Sequence, residues 1–132
     1  MAIQYSAAVR NNQLDQVEST TGTAAKLRIL TGSPPANTAA AETGSLLIEI
    51  TLPSDWMNAA AAGSKTKLGT WSGAATGTGT AGYFRVVDNA GTTCHIQGTC
   101  GLGSGDLQLD NTSITTSQTV TVNTFTLNAG HA

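Results

Sequence analysis

From Lys26 onward, apolar and polar positions alternate with a period of two. Leu27 and Ile29 point one way, and Lys26 and Arg28 the other, which is the pattern of a half-buried strand. A loop from Gly32 to Thr43, with Pro34 and Pro35, interrupts it. Leu46, Ile48, Ile50 and Leu52 then alternate with Leu47, Glu49 and Thr51, and Pro53 ends the run. Pro53 to Ser64, with Trp56, Met57 and Ala59 to Ala62, is expected as a helical turn or a lip over the core. Lys65 to Trp71 is read as one strand and the Gly- and Thr-rich run Ser72 to Thr80 as a loop. Ala81 to Val87 and Thr92 to Cys100 are joined by Asp88-Asn89-Ala90-Gly91. These turn residues supply local hydrogen bonds and a positive φ, so the pair predicts a hairpin. Asp106 to Asp110 alternates again after the turn Gly101 to Gly105. In the last strand, Thr119 to Leu127, Val120 and Val122 share one parity while Phe125 and Leu127 share the other. A switch of that kind predicts a bulge near Asn123-Thr124.

Only the N-terminal stretch reads as helix. Ser6 to Glu18 contains neither Gly nor Pro, with Ser6 as its cap and Gly22 as its stop. Its apolar residues are sparse, so a helix resting on a domain or a neighbouring subunit is expected. The candidate interaction surface is Tyr5, Val9, Arg10, Leu14 and Val17 of this arm, together with Trp56. The reading is an all-β, jelly-roll-like β-sandwich of about eight short strands with a short N-terminal helix. Residues 1–22 form the helical arm and 23–132 the β-sandwich, one domain overall; a barrel is the alternative.

Composition narrows the partners. The chain has 132 residues, within the range of one domain. Thr, Ala, Gly and Ser supply half of it, and at 39% hydrophobic and 11% charged it fits neither a membrane protein nor a highly charged disordered chain. Six basic and eight acidic residues are scattered singly, without a basic stripe for phosphates. Neither nucleic acid nor membrane is therefore an expected partner. Met1 to Arg10 lacks a basic segment followed by an apolar run, and synthesis in the cytoplasm is expected.

Candidate chemistry is thin. Gly77-Thr78-Gly79-Thr80-Ala81-Gly82 matches the dinucleotide-binding glycine pattern in letters, but it leads into a strand where that site needs a helix. Cys94 and His95 are adjacent on a strand and point to opposite faces, which argues against a zinc site with Cys100. Along one strand Cys94 and Cys100 would lie roughly 20 Å apart, too far for a disulfide. Asp106, Asp110 and Asn111 lack the spacing of a calcium loop and read as a solvated strand edge. Asn111-Thr112-Ser113 is formally a glycosylation acceptor, most simply a turn. No catalytic set is nominated, and no enzyme activity, cofactor or metal is expected. Trp56, Trp71, Tyr83 and Phe84 are expected in the core; an exposed Trp would signal an interface or a sugar platform.

The opening Met1-Ala2-Ile3-Gln4-Tyr5-Ser6-Ala7-Ala8-Val9-Arg10-Asn11, with Leu14, Lys26-Leu27-Arg28-Ile29, Thr31-Gly32 and Pro35-Ala36, resembles small virion proteins of tailed bacteriophages. Gly79 to Arg85, Asp88 to Thr92 and Leu109 to Ile114 look like the same family. The resemblance spans nearly the whole chain through turns and strand edges. It implies a jelly-roll cement or decoration protein on the capsid exterior of the virion, bridging subunits of the major capsid protein. A homo-oligomer, dimer or trimer, is expected with it. The alternatives are a tail or baseplate component and a carbohydrate-binding adhesion module, the latter requiring Trp56 or Trp71 to be exposed.

Overall fold

The computed structural model describes residues 2–132; Met1, the first residue of the expected arm, lies outside the described residues. The chain runs from helix α1 (Ala7–Thr21) into β1 (Lys26–Leu30), β2 (Leu46–Thr51), β3 (Ser64–Thr66), β4 (Ser72–Ala74) and β5 (Gly79–Thr80). It continues through β6 (Tyr83–Val87), β7 (Cys94–Gly101), β8 (Leu107–Leu109), β9 (Ser113–Ile114) and β10 (Thr119–Asn128). Eight strands make one curled sheet in the order β2-β1-β6-β7-β8-β10-β3, with β4 also on β10; β5 and β9 form a small second sheet. The class is all-β and jelly-roll-like with a short N-terminal helix, as the alternation predicts.

The curl makes two layers. β2, β1, β6 and β7 pair antiparallel, while β7 meets β8 in parallel at Cys100–Leu107 and Gly101–Gln108 only. Beyond that corner, β10 carries β8, β3 and β4. β4 thereby returns to β2: a Cβ at Gly73 would lie 3.4 Å from Ile50 and 3.5 Å from Ile48. The Thr76 and Gly77 amides close the seam by donating to Leu47 O at 2.9 and 3.1 Å. Leu27, Ile29, Phe84, Val86, Leu107, Leu109, Val120, Val122 and Phe125 fill the space between the layers. The rings of Trp56, Trp71, Phe125 and Phe84 follow one another through it at centroid distances of 6.0, 5.5 and 5.5 Å. Tilted and edge-on pairs of this kind add to the burial energy.

The predicted bulge is present. The β8–β10 register shifts between Val122 and Thr124, so Asn123 and Thr124 are both exposed while Val122 and Phe125 both face the core. The hairpin is also present. Asp88 accepts from the Thr92 amide at 2.8 Å and the Thr92 hydroxyl at 2.9 Å, and Gly91 takes φ +75°.

Other boundaries differ from the sequence reading. Lys65 to Trp71 is not one strand: the chain leaves β3 after Thr66 and turns at Gly69, φ +77°, before β4. Trp71 is drawn inward there, its indole N–H donating to Leu68 O at 3.1 Å. Ser72 to Thr80 is not a plain loop, because it contains β4 and β5. Its glycines permit close approach; a side chain at Gly77 would sit 2.6 Å from Leu46 O. In β2 the alternation slips, since Leu47 is buried and Leu46 is 37% exposed. The cause is a register shift opposite Ile29 and Leu30, where Leu47 is the unpaired residue. Pro53 to Ser64 forms the lip and no helix, with Trp56 and Met57 fully inside.

Candidate interaction surface

One side of α1 is committed to the fold. Ser6 Oγ accepts from the Val9 amide, and the Gly22 amide, at φ +94°, donates back to Glu18 O. Asn11, Asp15 and Glu18 fall at i, i+4 and i+7, on one helix face. Their oxygens accept the amides of Gly63 at 2.9 Å, Ala60 at 2.9 Å and Met57 at 3.0 Å. The helix thus satisfies the irregular lip as a neighbouring strand would. Lys65 of β3, 2% exposed in its side chain, reaches up to Asp15 at 2.8 Å and Glu18 at 3.1 Å. Burial pushes its ammonium toward losing the proton, but the hydrogen bonds to Asp15 and Glu18 prevail and raise its pKa. The same hydrogen bond from Lys65, then the Ala60 amide, holds the Asp15 carboxyl below the usual range. The expected arm therefore lies clamped on the sandwich.

The other side faces outward. Ile3 is 70% exposed, Val9 44% and Tyr5 37%, with Ala7 and Ala8 exposed between them. The segment before α1 is tied to the chain's other end. The Tyr5 amide donates to His131 O at 2.6 Å, the Gln4 amide group to Ala132 O at 3.4 Å, and the Tyr5 and His131 rings meet edge-on at 5.1 Å. Three apolar side chains within seven residues thus stand at the surface. Ile3 and His131 were not among the residues the sequence nominated. The parity shared by Ile3 and Tyr5 was the available signal for the first; the second required knowing that the ends meet.

The nominated set divides accordingly. Tyr5 and Val9 stand at the surface, and Leu14, 5% exposed, and Trp56, 0% exposed, do not. Leu14 points under the helix, and Trp56 donates its indole N–H to Gly22 O at 2.9 Å within the core. Arg10 lies over Gly63, its Nε buried without a partner. Val17 is half-buried beside a groove of about 250 Å³ that it lines with Gln13, Gln16, Thr20 and His95. Trp71, Tyr83 and Phe84 are likewise buried, so neither tryptophan forms an exposed sugar-stacking platform.

The remaining motifs resolve into structure. The glycine run Gly77 to Gly82 spans β5 and ends just before β6, and a side chain at Gly82 would collide with Gly32 O. Cys94 and Cys100 are both free thiols on β7. Burial pushes Cys94 up, and burial followed by the Asp106 charge pushes Cys100 up to about 12, so both stay protonated near neutral pH. Asp106 accepts from the Thr99 amide and hydroxyl, Asp110 from the Thr121 amide, and Asn111 from the Ser113 amide. Among the described residues, no three His, Cys, Asp or Glu side chains converge as a metal site. No protein-family model, curated protein or solved structure matches the chain.

Proposed function

We propose that this chain is a virion structural protein, a capsid decoration or cement protein that binds and stabilises the shell of the major capsid protein. The observation that carries the reading is the Ile3, Tyr5 and Val9 patch, exposed yet anchored by α1 and by the C-terminal tail. Exposed apolar residues whose backbone is tied down by hydrogen bonds suit anchors of protein interfaces, since less entropy is lost on binding. Three such side chains fall short of the roughly 800 Å² per partner that a lone stable interface needs. A repeating shell supplies the missing affinity by multivalency, each copy of a dimer or trimer adding its own contact.

The test uses head shells assembled from the major capsid protein. Removing residues 2–5, or replacing Ile3, Tyr5 and Val9 with Ser, leaves α1 and its ladder intact. Either change is expected to abolish co-sedimentation with shells while circular dichroism and thermal unfolding stay near wild type. Undiminished co-sedimentation of both variants would remove the basis of the proposal. Binding to purified tails in place of shells would reassign the protein to the tail.

A further inference from the structure

The outer face of β6 is covered by a segment with unusual attachments. Between Gly32, φ +86°, and Gly44, φ +73°, the chain crosses β6 and β7 as a strap in which no residue is buried. It is held largely through its own backbone carbonyls. Gln97 Nε2 donates to Pro35 O at 2.8 Å, Arg85 Nη2 to Asn37 O at 3.2 Å and Ala40 O at 2.7 Å, and the Tyr83 hydroxyl to Thr43 O at 2.6 Å. Apart from Glu42, which pairs with Arg28 at 2.7 Å, these attachments ask nothing of the strap's side chains. The sheet grips the strap as it would grip a bound peptide.

Beneath it lie Tyr83 and Arg85, 0% and 4% exposed. Arg28 and Arg85 are register partners on neighbouring strands. Arg28 takes two carboxylates, Glu42 and Glu49, whereas Arg85 forms no ion pair among the described residues. All three of its hydrogen bonds use Nη2, the third to Gln97 Oε1 at 3.0 Å, and its Nε–H is buried with no acceptor. Nε and Nη2 form the edge of a guanidinium that a carboxylate engages with two parallel bonds. A buried cation with half of that edge empty is incompletely compensated.

We propose that the β6 face around Tyr83 and Arg85 is a docking surface for an extended protein segment bearing a carboxylate, with strap 32–44 as its displaceable cover. The incoming segment takes the strap's seats on Gln97 and Tyr83 and places its carboxylate on Arg85 Nε and Nη2. Tyrosine and arginine are among the residues enriched at the centres of protein interfaces. The two flanking glycines absorb the backbone rotation of the lifted strap. The inference is independent of the capsid reading, since it names a second surface on a different face.

Two measurements on the full chain test it. Hydrogen exchange should show the Thr43 amide, which donates to the Tyr83 hydroxyl at 3.0 Å, opening without global unfolding; its exchange only at the rate of the β6 core amides would overturn the proposal. A capped alanine-rich hexapeptide carrying one glutamate should shift the Arg85 Nε–H resonance and deprotect the strap, binding about tenfold tighter than its glutamine analogue. Arg85→Gln should erase that preference, and the paired peptides on wild-type protein give the answer even if this variant fails to fold. Equal binding of the two peptides, or binding of neither, overturns the proposal. Inorganic phosphate shifting Arg85 and releasing the strap as well as the glutamate peptide does would overturn the assignment to a protein segment.

Discussion

Lys65 shows how a single residue can be read correctly as strand and still hide its role. Its place in an alternating run was legible, but that its ammonium is buried under α1 depends on a helix fifty residues upstream. Removing both countercharges with Asp15→Asn and Glu18→Gln would strand that ammonium. The expected loss is about 3 kcal/mol, because a buried charge without a partner costs far more than an exposed pair returns; a denaturant midpoint measures it. The pH dependence follows from the same contacts. Asp15 has a folded pKa depressed below its usual 3.8, so its contribution is complete above that value and disappears as pH falls through the depressed one. Lys65 is raised above 10.5, so its contribution is complete below that value and is lost as pH climbs through the raised one. Unfolding midpoints across pH should therefore hold a plateau between these limits, and Asp15→Asn should flatten the acid-side decline. Glycines carry a second hidden role: a methyl at Gly82 meets the backbone of Gly32, while one at Gly91 meets nothing. Gly82→Ala should be the more costly of the two despite the positive φ at Gly91, with the order read from thermal unfolding.

Among the elements, β10 was the most legible because a parity switch in the sequence has few physical causes. Deleting Asn123 restores a continuous alternation from Val120 to Leu127 and should leave a folded protein. Deleting Thr121 turns Val120 to the wrong face relative to Val122 and Phe125, and should prevent folding; heteronuclear spectra of the two deletions separate these outcomes. The β3–β4 region was illegible for the opposite reason. Its strands are three residues each, too short to show a period, and its glycines signal turns when their function is close packing. α1 was placed correctly by its cap and stop, yet its docking was not visible. Asn11, Asp15 and Glu18 look like a solvated face until the lip amides they receive are known. A chain lacking residues 1–19 should accordingly lose cooperative unfolding. Removal of residues 2–5 alone should not have that effect.

For the molecule as a whole, alternation was enough to establish two β layers, while the closure of β4 on β2 and the meeting of the chain ends arise from long-range packing that no local pattern encodes. Of the six nominated surface residues, Tyr5 and Val9 are exposed, Arg10 and Val17 half-buried, and Leu14 and Trp56 buried. Tyr5 and Val9 precede or begin the helix, where the body cannot cover them, whereas Leu14 and Trp56 had enough apolar surface to be drawn inside. The functional account rests on the exposed patch at the joined chain ends acting against a repeating shell. A reconstruction at side-chain detail of the particle assembled by the encoding genome tests it most directly. The account predicts this sandwich on the outer surface of the head, with Ile3, Tyr5 and Val9 seated against the major capsid protein; a head without it, or a copy whose N-terminal patch faces solvent, would contradict it.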